Sequence, residues 1–168
     1  VGIAGLTLGG GIGFLSRQFG LTCDNLVAIE VVDATGQILR ASTQENAALF
    51  WALRGGGGGN FGVVTSFTFR IHPVGDVATV RVSWPWDDAA TVLDAWQGWA
   101  PTIDDRLTTG FTIGPPSDGS ITAFGVFNGP ENELPPLLAP LLAAGSPSAP
   151  VVASRPYITA AEQLAGPG

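Results

Sequence analysis

Three observations predict an α+β fold in two parts. Segments with alternating apolar and polar residues recur along the chain, as in the strands of a sheet that is buried on one face. Amphipathic segments with helical spacing lie between some of these strands and would cover that face. The composition also changes around residues 74–76, so we expect a domain boundary near residue 75.

The first part opens with a glycine-rich segment. Residues 1–13 contain too much Gly for a stable helix interior, and residues 14–19 predict a short helix that Gly20 ends. Two strands follow at residues 25–32 and 37–41. The turn residues Asp, Thr and Gly between them predict a hairpin.

A helix and a strand complete this part. Thr43 is expected to cap a helix over residues 44–54, and Gly55 to end it. A run of five glycines begins at Gly55. Residues 61–71, which are β-branched and aromatic, then predict a strand that stops before Pro73.

The second part reads as an antiparallel sheet with helices on one face. Strands are predicted at residues 78–84, 107–113, 120–128 and 151–157. Helices are predicted at residues 86–99 and 134–144, and Pro140 inside the second implies a kink.

Composition excludes several classes of protein. Of 168 residues, 45% are hydrophobic and 12% charged, against a usual charged fraction of about 25%, so the chain is not disordered. The net charge of −7, with seven Arg and no Lys, argues against a nucleic-acid partner. No apolar run reaches the roughly 20 residues of a membrane span, so no membrane partner is expected. Because the sequence starts without Met, we expect a fragment, and its localisation stays open.

Hydrolytic and metal sites find little support. The single imidazole, His72, ends a strand and is interpreted as a surface or capping residue. Cys23 has no Cys or His at metal-ligand spacing, so a buried, inert thiol is expected and no metal is predicted. Helix capping and solvation account for the acidic pairs at residues 87–88 and 104–105.

The glycines carry more information. Residues 57–62 match G-x-G-x-x-G, but this match follows a helix and opens a strand, the reverse of a dinucleotide fingerprint. Glycine lets backbone approach a flat ligand and exposes N–H donors. Residues 2–13 and 55–62 could therefore line one large planar cofactor, or they could only form tight turns.

Three motifs in order resemble the flavin-binding domain of the berberine-bridge-enzyme-like FAD-linked oxidases, in the vanillyl-alcohol-oxidase superfamily. They are GIAGLTLGGGIGFLSRQFGLTCDNL, VVDATGQIL and ENAALFWALRGGGGGNFGVVTSFTFR. The resemblance implies that residues 1–75 are the C-terminal portion of a PCMH-type FAD-binding domain. Residues 76–168 would be the N-terminal portion of an antiparallel-sheet substrate domain, on the weaker cues WPWDDAATVLDAWQGWAP, DDRLTTGFTI and PLLAPLL.

The resemblance also implies a flavin-dependent activity. A substrate C–H next to an alcohol, hemiacetal or amine would give hydride to FAD, and dioxygen would accept the electrons. The partners would be a small-molecule substrate and dioxygen. The flavin-linking His and the catalytic base would lie outside this chain, so no catalytic residue is assigned. A flavin-dependent dehydrogenase of the same fold and a non-catalytic α+β binding module remain alternatives.

The resemblance assigns cofactor contacts by position in the motifs. The expected contacts are Val1, Gly2, Ala4, Gly5, Thr7, Gly11, Gly13, Gly62, Val63 and Val64. The first seven would approach the isoalloxazine or pyrophosphate, and the last three the adenosine end. Val1 would also act as a gate, since a small branched side chain there leaves room for dioxygen and favours an oxidase.

Overall fold

The computed structural model describes residues 2–165. The chain divides into two units, Val1–Pro73 and Val74–Gly168, each with its own sheet and its own core. All strand pairs among the described residues are antiparallel, which confirms the predicted α+β class.

The first unit is built on a three-stranded sheet in the order β2–β1–β3. Its strands are β1 (Leu26–Val32), β2 (Ile38–Ser42) and β3 (Val63–Phe69). The predicted hairpin is present: one carboxylate oxygen of Asp33 accepts hydrogen bonds from the backbone N–H groups of Thr35 and Gln37. Gly36 completes the turn with φ +83°.

Three helices accompany this sheet: α1 (Ile3–Leu8), α2 (Ser16–Phe19) and α3 (Ala47–Leu53). The expectation that residues 1–13 lack a helix is wrong for α1. Its six residues include only one Gly, and the dense glycines begin at Gly9, where the helix ends.

The predicted cap of α3 is also wrong. Thr43 lies outside the helix, and Asn46 occupies the N-cap with φ 47°. The Ser42 hydroxyl accepts hydrogen bonds from the backbone N–H groups of Gln44 and Glu45, which holds these residues in a turn and delays the helix. The amide of Asn46 donates to the Arg40 carbonyl at 2.7 Å and stabilises the left-handed backbone.

The second unit is built on a four-stranded sheet in the order β5–β6–β4–β7. Its strands are β4 (Asp76–Pro85), β5 (Leu107–Ile113), β6 (Ser120–Phe127) and β7 (Val151–Pro156). Helices α4 (Ala89–Trp99) and α5 (Leu134–Leu142) pack on one face and enclose a core that includes Trp84.

A sixth helix was not predicted. Helix α6 (Tyr157–Ala165) follows β7 directly, and the side chains of Arg155 and Gln163 are hydrogen-bonded. Arg155 lies on the face of β7 opposite Val152, which packs against the α4–α5 core. The prediction of helices on one face of the sheet therefore holds for α4 and α5, whereas α6 lies at the other face.

The acidic pairs of this unit make structural contacts. Asp88 accepts a hydrogen bond from the Ser146 backbone N–H at 2.7 Å. Arg106 forms ion pairs with Asp104 at 2.8 Å and Glu133 at 2.9 Å, which raise the pKa of its guanidinium. The carboxylates of Asp88 and Asp104 thus fasten loops. The expected helix capping is wrong for Asp88, which occupies the N-cap of α4 without a side-chain capping bond.

Candidate functional site

The two glycine-rich segments meet at one cavity of about 320 Å³ in the first unit. Its lining residues are Ala4, Gly5, Leu8, Gly58, Gly59, Gly62, Val63 and Val64. Five of these were expected contacts of the cofactor, and they come from both segments. A single ligand can therefore touch both.

Helix α1 forms one wall of this cavity. Ala4 and Leu8 are one helical turn apart and so lie on the same face, next to Gly5. The Leu8 carbonyl accepts a hydrogen bond from the Gly57 backbone N–H at 2.8 Å, which joins the helix to the glycine run. Leu8 went unrecognised in the sequence because its position depends on a helix that was not predicted.

The start of β3 forms another part of the wall. Gly62 has φ +135°, and a Cβ there would lie less than 2.5 Å from the Val32 carbonyl oxygen. Both features require glycine for the fold itself. The close approach brings Val63 and Val64 into pairing with β1 and places them at the cavity.

Gly5 differs from Gly62 in having no structural reason to be glycine. Its φ is not positive, and a Cβ built on it would meet no atom within 4 Å. The added atom would reach only open space on the cavity side of an exposed helix. A ligand that passes close to the helix backbone would explain the missing side chain.

The cavity is small, aliphatic and without a charged side chain. Such walls suit the flat face of an aromatic ring and offer no cation to a phosphate. The apolar walls of the cavity thus fit a ring of a flavin nucleotide. The structure shows no phosphate-binding group at this wall.

A polar groove of about 500 Å³ adjoins the aliphatic cavity, since both are lined by Gly59, Gly62 and Val63. Asp33, Thr35 and Asn60 supply its polar groups. The Thr35 hydroxyl and the backbone N–H of Gln37 donate to the Asp33 carboxylate and lower its pKa. This carboxylate is thereby held as an anion within its own turn.

The structure places two expected contacts away from the cavity. Thr7 is fully buried, and its hydroxyl has no hydrogen-bond partner among the described residues. Gly11 has φ +83°, and a Cβ there would lie 2.7 Å from Cβ of Thr22. Gly11 therefore serves the packing of the loop behind α1.

Two further expected contacts are not cavity residues either. Gly2 and Gly13 are exposed and do not line the cavity. Val1 lies outside the described residues. Gly58 and Gly59, which do line it, belong to the glycine segment that the sequence singled out, although neither was named as a contact.

Other candidate groups of the first unit form no second site. Residues 57–62 lie between α3 and β3, which confirms that the G-x-G-x-x-G match lacks the strand–helix context. Cys23 is buried, and burial raises the pKa of its thiol. Over residues 2–165, no group of acidic, His and Cys side chains could hold a metal ion, and no helix is long and apolar enough to cross a membrane.

Comparison with known proteins identifies the cofactor class. Residues 1–42 match the FAD binding domain family, which confirms FAD as the expected cofactor. The uncharacterised FAD-linked oxidoreductase YgaK of Bacillus subtilis (strain 168) is 47% identical over 172 aligned residues, which cover 100% of this chain and 38% of YgaK. The chain thus spans well under half of that relative.

Two solved structures have the same architecture. Physcomitrella patens BBE-like 1 matches with a TM-score of 0.90 and 34% identity, over 95% of this chain and 35% of its own. The carbohydrate oxidase from Microdochium nivale matches with a TM-score of 0.85 and 28% identity, over 96% of this chain and 35% of its own.

Proposed function

We propose a role in flavin-dependent oxidation, because the chain belongs to the berberine-bridge-enzyme-like FAD-linked oxidoreductases. In this role the cavity of the first unit holds a ring of FAD. The whole protein removes hydride from a C–H next to an alcohol, hemiacetal or amine of a small-molecule substrate, with dioxygen as acceptor. The first unit serves FAD binding and the second belongs to the substrate domain.

The observation that carries the proposal is a pair of glycines that line the same cavity from two segments of the chain. Gly62 is explained by the fold, because any other residue would collide with the Val32 carbonyl. Gly5 lines the same cavity, and nothing in the fold explains why it is glycine. A flat ligand between α1 and the start of β3 accounts for Gly5.

The residues of this chain position the cofactor, and the described residues that line the cavity carry no proton-transfer group. A bound FAD would supply the hydride-accepting chemistry. The aliphatic side chains of Leu8, Val63 and Val64 exclude water from the ring, and Gly5 permits contact with the helix backbone. The catalytic base is assigned to a part of the protein outside this chain.

The identity of the electron acceptor separates two versions of the proposal. A dehydrogenase of the same fold would use the same cavity with an acceptor other than dioxygen. The position of Val1 in the motif supports the oxidase, since valine leaves a small space beside the ring. The oxidoreductase relatives argue against a non-catalytic binding module.

The substitution Gly5→Leu tests the proposed cavity in the full-length protein that contains this chain. The new side chain would occupy the space of the ring, so we expect several-fold lower flavin content, measured as the ratio of flavin to protein absorbance. Gly98→Leu is the matched control, because Gly98 is also helical, exposed and free of atoms within 4 Å of its Cβ. Equal flavin content in the two variants would contradict the proposal.

A further inference from the structure

We propose that Asn25 and His72 are positioning residues that fix α1 for FAD binding through the loop at residues 20–25. Neither residue lines the cavity. The inference rests on the proposed function, because it assigns these two side chains to the same FAD site. It follows from a continuous series of hydrogen bonds that runs from the end of β3 to α1.

Asn25 holds the loop from within. Its amide Nδ2 donates to the carbonyls of Phe19 at 2.9 Å and Leu21 at 3.0 Å. Its Oδ1 lies 2.7 Å from Nε2 of His72. Because Nδ2 is the donor to two carbonyls, Oδ1 is the acceptor, and His72 therefore carries its proton on Nε2.

His72 is itself fixed by its surroundings. Its ring stacks on Phe19 with centroids 4.1 Å apart and an interplanar angle of 11°. The backbone N–H of Arg70 donates to the Asn25 carbonyl at 2.7 Å, which ties the end of β3 to the same loop. Backbone, ring and amide contacts together fasten the loop to the sheet.

The loop in turn supports α1. The backbone N–H groups of Thr22 and Cys23 donate to the carbonyls of Gly11 and Gly10, at 2.8 and 2.9 Å. The Gly10 N–H donates to the carbonyl of Thr7 in α1 at 3.1 Å. A shift of the loop would thus reach the helix that forms one wall of the cavity.

The glycine run, which also lines the cavity, is connected to the same loop. Arg54 at the end of α3 donates from Nε to the Cys23 carbonyl at 2.9 Å and pairs with Asp24 at 3.0 Å. The glycine run that follows donates from Gly57 to the Leu8 carbonyl. Helix α1 and the glycine run therefore both depend on the loop position, and small displacements of a binding wall cost affinity.

The test compares His72→Phe, His72→Gln and Asn25→Asp in the full-length protein. Phe keeps an aromatic ring for the stack but leaves Asn25 Oδ1 without its donor, whereas Gln restores a donor. We expect flavin content to fall roughly three- to tenfold in His72→Phe, as for loss of one hydrogen bond, and to recover in His72→Gln. Asn25→Asp removes both hydrogen bonds to the carbonyls of Phe19 and Leu21 and should lower the flavin content at least as much. Asn132→Asp, an exposed site in the second unit, controls for the added charge.

A second measurement follows the loop directly. Amide hydrogen exchange at Thr22 and Cys23 should be faster in His72→Phe than in wild type, with or without flavin. If the wild type carries flavin and His72→Phe changes neither the flavin content nor the amide exchange, the inference is overturned while the proposed function stands. A wild-type protein that takes up no FAD would overturn the proposed function and this inference with it. Hydrogen exchange in His72→Phe tests the inference even if Asn25→Asp does not fold.

Discussion

Replacement of Gly11 by Ala should destabilise the first unit without any involvement of cofactor. Gly11 has φ +83°, and its added Cβ would lie 2.7 Å from Cβ of Thr22 and 3.1 Å from Cγ of Leu6. Thr22 cannot move away freely, because its backbone N–H and its hydroxyl both donate to the Gly11 carbonyl. The substitution therefore meets both a conformational and a steric penalty.

The magnitude follows from these two penalties. A left-handed backbone costs a residue with a Cβ about 1–2 kcal/mol. Overpacking against a fixed neighbour costs about 1–3 kcal/mol more. With a urea dependence of about 2 kcal/mol per molar, the unfolding midpoint should fall by roughly 1–2.5 M.

The contrasting substitution is Gly5→Ala, on the cavity wall. Gly5 lies in α1 with no atom near its Cβ, so Ala should raise the free energy of unfolding of the apoprotein by up to about 1 kcal/mol through helix propensity. The two variants should therefore shift the midpoint in opposite directions when urea unfolding is followed by circular dichroism. A Gly11→Ala midpoint equal to that of wild type would refute the argument. Loss of flavin in a Gly11 variant thus reports on the fold, whereas loss in a Gly5 variant reports on the cavity.

Three further outcomes are expected. The chain of residues 1–168 by itself should bind FAD weakly and show no turnover, and a yellow, tightly flavinylated preparation would contradict this. Hydrogen bonds from Thr35 and Gln37 lower the pKa of Asp33 below its ordinary value, so its stabilising contribution is complete above that ordinary value and is lost as the pH falls through the pKa of the folded state. Asp33→Asn should accordingly lower the urea midpoint near neutral pH and leave it unchanged in strong acid. An equal decrease of the midpoint at neutral and at acidic pH would show that the charge of the turn carboxylate does not cause it. Val1→Ile in the full-length protein should slow flavin reoxidation by dioxygen in stopped-flow measurements while reduction by substrate stays nearly constant. If both rates change together, Val1 is not an oxygen gate.

The sequence by itself determined most of the strands and the class of cofactor. The alternating residues of β4 and β6 and the apolar run of β1 mark strands, because burial of one side chain in two is a local pattern. Turn chemistry at Asp33 likewise depends only on its next four residues. Glycine density pointed to the two segments that meet at the cavity, since the lack of a Cβ is visible in the letters alone.

Only the tertiary structure decided which glycines serve the fold and which face open space. Gly5, Gly11 and Gly62 look alike in sequence, yet a Cβ on each would meet different surroundings. A Cβ on Gly5 would meet open space, one on Gly11 would meet Thr22, and one on Gly62 would meet the Val32 carbonyl. The start of α3 at Asn46 depends on a bond to Arg40 that composition does not reveal. Contacts such as that between Leu8 and Gly57 join residues far apart in the chain. Because such contacts form only when whole elements pack, no local pattern of residues could predict them.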